Sequence, residues 1–207
     1  MKSLLGSAVL PRNASRLALG VVWLGLSCGG LALLAWYGGS PGTSQAAPLQ
    51  WPVDSRIHLS ERGATLIVFA HPRCPCTRAS LGELEKIVAH SGGSVTTWVV
   101  FLKPVDSDDA WDQTDLVTTA AAIPGVHILH DLDGVEARRF GATTSGQALL
   151  FSDRGELLFS GGITLARGHA GDNPGRSAIE SYLTNRTPAC RQTPVFGCPI
   201  ALTPQQD

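Results

Sequence analysis

Two cysteines flank a single proline in the run His71-Pro72-Arg73-Cys74-Pro75-Cys76-Thr77-Arg78. A thiol reacts as its thiolate, so the question is what around it stabilises negative sulfur. Residues 66–70 (LIVFA), just before the run, are wholly apolar and predict a buried strand. After it, Ala79, Leu81, Leu84, Ile87 and Val88 recur at helical spacing until Gly92-Gly93 stops them. The cysteines therefore lie where a strand turns into a helix. A helix start offers unpaired N–H groups and the positive end of the dipole. Pro75 suits the first helical position, which puts Cys74 at the N-cap and Cys76 inside the first turn. Arg73, Arg78 and His71 add positive charge. These features predict an exposed, acidified Cys74 as attacking thiol, Cys76 as its partner, Arg73 as its electrostatic support and His71 as proton acceptor.

The same residues permit a different chemistry. Two thiols and an imidazole in His71-x-x-Cys74-x-Cys76 form a soft donor set suited to Cu(I). His169, in residues 167–172 (RGHAGD), is the candidate further ligand. His127 and His130 are three apart near a strand end, so they face opposite ways and share no ligand. Asp106, Asp108, Asp109, Asp112 and Asp115 lack the turn glycine and terminal glutamate of a calcium loop. They read as the solvated, acidic start of a helix.

What must position this chemistry begins with a tether. Residues 17–37, from Leu17 to Tyr37, are 21 positions without a charge, enough as a helix for a bilayer core of about 30 Å. Trp36 and Tyr37 suit its outer boundary. Of 16 Lys and Arg residues only Lys2, Arg12 and Arg16 precede the run, and all 17 acidic residues follow it. The positive-inside rule then keeps residues 1–16 in the cytoplasm and exports the rest. A cleaved signal ending at Ala46 or Ala47 is the alternative, though its apolar region would usually be shorter. Cys28 falls at mid-membrane, where it is inert. Residues 38–50 are rich in Gly, Pro, Ser and Ala and read as a flexible linker, followed by a domain over 51–185 and a tail over 186–207.

Within the domain the elements read βαβαβαββα. Strands at 66–70, 95–102 and 126–129 alternate with helices, including one opened by Ser107-Asp108-Asp109. A hairpin of 148–152 and 156–160 turns at Asp153-Arg154-Gly155, and a last helix begins at Asn173-Pro174. Alternating strands and helices argue for an α/β layer fold. The net charge is −1, which gives no field for holding nucleic acid, and no glycine-rich phosphate loop is present. Cys190 and Cys198, in a tail holding Pro188, Pro194 and Pro199, predict a structural disulfide in an oxidising compartment. A second redox pair is the alternative.

Three stretches carry a family resemblance: FAHPRCPCTRASLGEL (69–84), DLDGVEARRFGA (131–142) and ALLFSDRGELLFSGG (148–162). They resemble thioredoxin-fold proteins of the bacterial envelope, and more closely the membrane-anchored RedB-type thioredoxin-like family, over about residues 66–183. The resemblance implies a thioredoxin fold behind one inner-membrane helix. It also implies thiol–disulfide exchange in the periplasm with protein clients such as assembling cytochromes or oxidases, and no bound cofactor. Copper is the cofactor of the alternative, metallochaperone-like reading. Two features depart from the family: Cys-x-Cys replaces Cys-x-x-Cys, and Gly146 stands where a cis-proline usually faces the disulfide. Side chains two apart on a helix diverge, so a Cys74–Cys76 bond would be strained and oxidising.

Overall fold

The apolar run forms α1 (Arg12–Gly39), a helix of 28 residues, in a computed structural model that describes residues 12–108 and 110–200. Lys2 with the stretch before Arg12, Asp109, and the tail from residue 201 lie outside the described residues. At 1.5 Å per residue α1 is about 42 Å long, and by length and composition it is able to cross a membrane. The chain divides into two compact units between Gly38 and Gly39.

The second unit has a thioredoxin-like fold built on a five-stranded sheet. Its strands are β1 (Ala64–Ala70), β2 (Val95–Lys103), β3 (Val126–Leu132), β4 (Gln147–Phe151) and β5 (Leu157–Gly162), ordered β3-β2-β1-β4-β5. The first three run parallel, and β4 and β5 return antiparallel on the other side of β1. Central β1 is apolar from Leu66 to Ala70 because both its faces are covered there. Leu66, Val68 and Ala70 pack with Leu81, Leu84 and Ile87 of α2 (Thr77–His90), Leu116 and Ala120 of α3 (Asp115–Ala122), and Ile179 of α5 (Pro174–Leu183). Ile67 and Phe69 face the opposite way, toward Ala137 of α4 (Val135–Arg139) and Phe140 at its C-cap.

Local chemistry sets the helix starts. The Asn173 side chain accepts from Arg176 N–H at 2.8 Å, with Pro174 at the first helical position. Thr114 caps α3 by accepting from Val117 N–H at 3.4 Å. This helix therefore begins later than Ser107-Asp108-Asp109 predicts, because the chain first makes turns closed by Ser107 N–H to Pro104 O and Trp111 N–H to Asp108 O.

The segment whose composition reads as a free linker is held along the domain instead. Gly42 N–H donates to Val195 O at 2.8 Å, and Leu49 O and Gly155 O accept from Leu157 N–H and Trp51 N–H at 2.9 and 2.8 Å. The Thr43 carbonyl accepts from both Thr143 and Thr144 hydroxyls at 2.7 Å. The tail docks too: Ser160 N–H donates to Arg191 O at 3.0 Å, and Val195 and Ile200 are buried.

Candidate functional site

Residues 71–76 leave β1 through two successive tight turns rather than entering a helix at once. Cys74 N–H donates to His71 O at 3.1 Å, and Thr77 N–H to Cys74 O at 3.0 Å. The N-cap of α2 is accordingly Cys76, in helical conformation with no side-chain cap bond, two residues beyond the N-cap expected at Cys74. The N–H groups of Cys76 and Thr77 still act on the Cys74 sulfur, so the helix start serves it from one turn away. Thr77 and Ser145 share a hydroxyl–hydroxyl bond at 2.9 Å, and Ser145 Oγ accepts from His71 N–H at 2.9 Å. These contacts lock the turn to the segment before β4.

There Gly146 has φ +90°, and its N–H donates to Phe69 O at 2.8 Å. Proline has neither that φ nor an N–H, so glycine is required at this position. A Cβ on Gly146 would also meet Ser80 Oγ at 2.7 Å.

Cys74 is buried at 1% exposure, not exposed as its position at a helix start suggests. The tail comes up against it. Cys198 Sγ lies 3.0 Å from Cys74 Sγ, about 1 Å beyond a disulfide bond length. Burial works against a Cys74 thiolate, but the Cys198 thiol and the N–H groups of Cys198, Cys76 and Thr77 outweigh it, so its pKa falls below the ordinary thiol value. Burial pushes Cys76 up, helped by the negative Cys74, while Arg167 opposes the rise. Cys198 is pushed up to about 12 by burial, by its bond to Cys74 and by the charges of Cys74 and Cys76, again opposed by Arg167. The arrangement is one acidified, shielded sulfur beside a thiol that stays protonated.

The expected pairing of Cys190 with Cys198 is not the one brought together. Cys190 Sγ lies 3.9 Å from Pro174 O at the start of α5, while Cys198 is held at Cys74. Arg73 turns aside: its guanidinium lies 4.1 Å from the Trp111 ring centroid, and its Nε donates to Trp111 O at 3.2 Å. Arg78 pairs with Asp115. His71 Nδ1 accepts from Arg73 N–H at 3.1 Å, and burial together with the Arg73 charge lowers its pKa, which leaves the ring neutral. The positive side chain that does act on Cys76 and Cys198 is Arg167. It stands two residues before His169, whose ring is exposed. Among the described residues no group of three or more His, Cys, Asp or Glu is gathered to hold a metal ion. On β3, His127 stacks on Trp98 and His130 pairs with Asp112 at 2.6 Å. The sequence signal for the missed partner was weak: Val195 and Ile200, apolar residues flanking Cys198, mark a tail that docks.

No family model matches the sequence, and no curated protein matches it. Solved structures do. A hypothetical protein from Sinorhizobium meliloti 1021 superposes with TM-score 0.59 at 19% identity, covering 80% of this chain and 96% of that one. An uncharacterized conserved protein from Geobacillus kaustophilus gives 0.58 at 17%, covering 81% and 94%. A secreted Mycobacterium tuberculosis disulfide oxidoreductase gives 0.45 at 16%, covering 61% and 84%.

Proposed function

We propose that this chain is a thiol–disulfide oxidoreductase of a bacterial envelope, held to the inner membrane by α1 with its thioredoxin-like domain in the periplasm. The observation that carries the reading is the Cys74 sulfur. Against its burial, it is acidified first by the Cys198 thiol 3.0 Å away and then by backbone N–H groups, those of the helix start among them. The RedB-type likeness of the three motifs and the cations preceding α1 support the same reading.

Cys74 supplies the thiolate that attacks a client disulfide, forming a mixed disulfide and releasing one client thiolate, which takes a proton. A neighbouring protein thiol, Cys76 or Cys198, then loses its proton and attacks Cys74 Sγ. That releases the second client thiolate and closes an intramolecular disulfide. Two electrons and two protons pass from protein to client, and the reverse sequence oxidises a client dithiol. Membrane attachment raises the effective concentration of membrane-bound clients without adding any contact.

The test is reduction of insulin disulfides by the full chain in detergent micelles, with dithiothreitol as the dithiol reductant. Wild type should accelerate the reaction and Cys74→Ser should return it to background. Equal rates for the two proteins would end the redox reading. A membrane-impermeant maleimide applied to intact spheroplasts should label the domain's cysteines, and labelling only after lysis would reverse the orientation.

A further inference from the structure

Cys198 reaches Cys74 by a built path. Ser145 N–H donates to Cys198 O at 2.8 Å and Ile200 N–H to Thr143 O at 2.9 Å, with an antiparallel bridge between Thr144 and Pro199. Arg167 Nη1 donates to Gly197 O. Gly197 lies so close to Ser145 that a Cβ would fall 1.9 Å from its carbonyl oxygen. The backbone on both sides of Cys198 is thus fixed against the segment before β4, and its sulfur faces Cys74 across 124 residues of sequence. Cys76, two residues along at the N-cap of α2, also feels the Cys74 sulfur through its charge and a side-chain hydrogen bond.

We propose that Cys198 is the resolving cysteine of this site: Cys74 and Cys198 form the exchanging disulfide, and the 190–200 segment that carries Cys198 is a cover over Cys74. The proposal rests on the redox reading and names its second thiol. With the segment displaced, the Cys74 thiolate attacks a client disulfide and one client sulfur leaves. When the segment returns, Cys198 gives up its proton and attacks Cys74 Sγ. The bond to the client breaks, the Cys74–Cys198 bond forms, and the departing client thiolate takes a proton. A dithiol reductant restores both thiols by the reverse exchange. Electrostatics favours this order. The negative Cys74 helps hold Cys198 protonated, and that charge disappears once Cys74 is in a mixed disulfide, so Cys198 becomes easier to ionise when its attack is needed. The cover also docks as an extended client peptide would, by backbone pairing beside the reactive sulfur, so a client has to displace it.

The test uses the full chain in detergent micelles. After oxidation with glutathione disulfide, non-reducing digestion and mass mapping should yield a peptide joining Cys74 to Cys198, in wild type and in Cys76→Ser. With Cys28 and Cys190 changed to Ser throughout, the Cys74–glutathione adduct should persist in Cys198→Ser. In Cys76→Ser it should decay about tenfold faster or more, since a tethered thiol has a high effective concentration. A Cys74–Cys76 peptide, or an adduct that persists in Cys76→Ser, would overturn the assignment while leaving the redox reading intact. A Cys74 that takes up no glutathione in any variant would overturn both.

Discussion

Arg167 grips the tail at Gly197, donating from Nη1 to the carbonyl of the residue just before Cys198. It also supplies the positive charge that opposes the upward shifts of Cys76 and Cys198. One side chain therefore both holds the cover and eases ionisation of the two partly exposed thiols.

Replacing it separates those effects. In Arg167→Gln the pKa values of Cys76 and Cys198 rise further, so their alkylation by iodoacetamide shifts to higher pH. Arg167→Lys keeps the charge and should keep the wild-type profile. Rates for each cysteine are read by mass spectrometry across pH ~7 to ~10, below the raised Cys198 value, where each rate tracks the small thiolate fraction and should fall in the Gln variant. A Gln variant with unchanged profiles would remove Arg167 from the site.

Gly197→Ala tests the cover sterically. The added methyl group has no room beside the Ser145 carbonyl, so backbone has to shift and the tail lifts. Cys74 should then alkylate faster by about tenfold or more, as expected when a local latch loses about 1.4 kcal/mol. Unchanged protection of Cys74 with the variant folded would mean that the tail does not control access.

Cys198→Ala removes the strongest influence favouring the Cys74 thiolate. Burial remains, so the Cys74 pKa should move up. An ultraviolet titration of thiolate absorbance in the Cys76→Ser, Cys190→Ser, Cys28→Ser background reads Cys74 directly once Cys198 is also gone. Compared with the two-cysteine parent, its first ionisation should come at higher pH. A midpoint that stays or falls contradicts the hydrogen-bond account.

The sheet and its helices were legible because each rests on short-range pattern. Residues 66–70 are apolar at every position and become doubly covered β1, and Asn173-Pro174 starts α5 by local capping. The site was legible only by half. Cys74 and Cys76 announce themselves by standing between a strand and a helix, but their partners come from residues 167 and 198, and no sequence spacing encodes a path across a sheet edge. The same limit explains the linker: Gly, Pro, Ser and Ala are also the residues that let backbone lie close to backbone, as Gly42 does against Val195. Gly146 is the converse case: a positive φ and an N–H bond to Phe69 explain why glycine, and not proline, stands there.

Two buried carboxylates should give opposite pH signatures. For Asp112, burial is outweighed by the Lys103 ammonium, its own N–H and His130, and its pKa falls. Its stabilisation is complete above the unfolded value of about 3.9 and is lost as the pH falls below that toward the folded value. Asp131 accepts from Glu136 and Ala137 N–H at 2.9 Å each, yet burial raises its pKa. Its contribution instead grows as the pH falls through the folded value toward about 3.9. In urea unfolding at a series of pH values, Asp112→Asn should flatten the acid loss of stability and Asp131→Asn should steepen the decline on the approach to pH ~4. Parallel changes in the two variants would refute this assignment.

Glu83 ties α2 to the loop that carries Arg167. Fully buried, it accepts from Gly171 N–H at 2.9 Å, Asn173 Nδ2 at 3.3 Å and Lys86 Nζ at 2.8 Å, and forms an ion pair with Arg176, whose Nε lies 2.8 Å away. Arg176 is itself only 12% exposed, so Glu83→Ala leaves a shielded cation with one partner fewer and a loop N–H without its acceptor. Breaking one side of such a pair costs about 3–5 kcal/mol, to be read from the urea midpoint. Glu83→Gln, which keeps the shape and one carbonyl acceptor, should lose less. Because Gly171 and Asn173, in the same loop as Arg167, bond to Glu83, Glu83→Ala should also weaken the grip of Arg167 on Gly197 and speed Cys74 alkylation below the unfolding transition. Lowered stability with fully protected Cys74 would show that the anchor and the cover are independent.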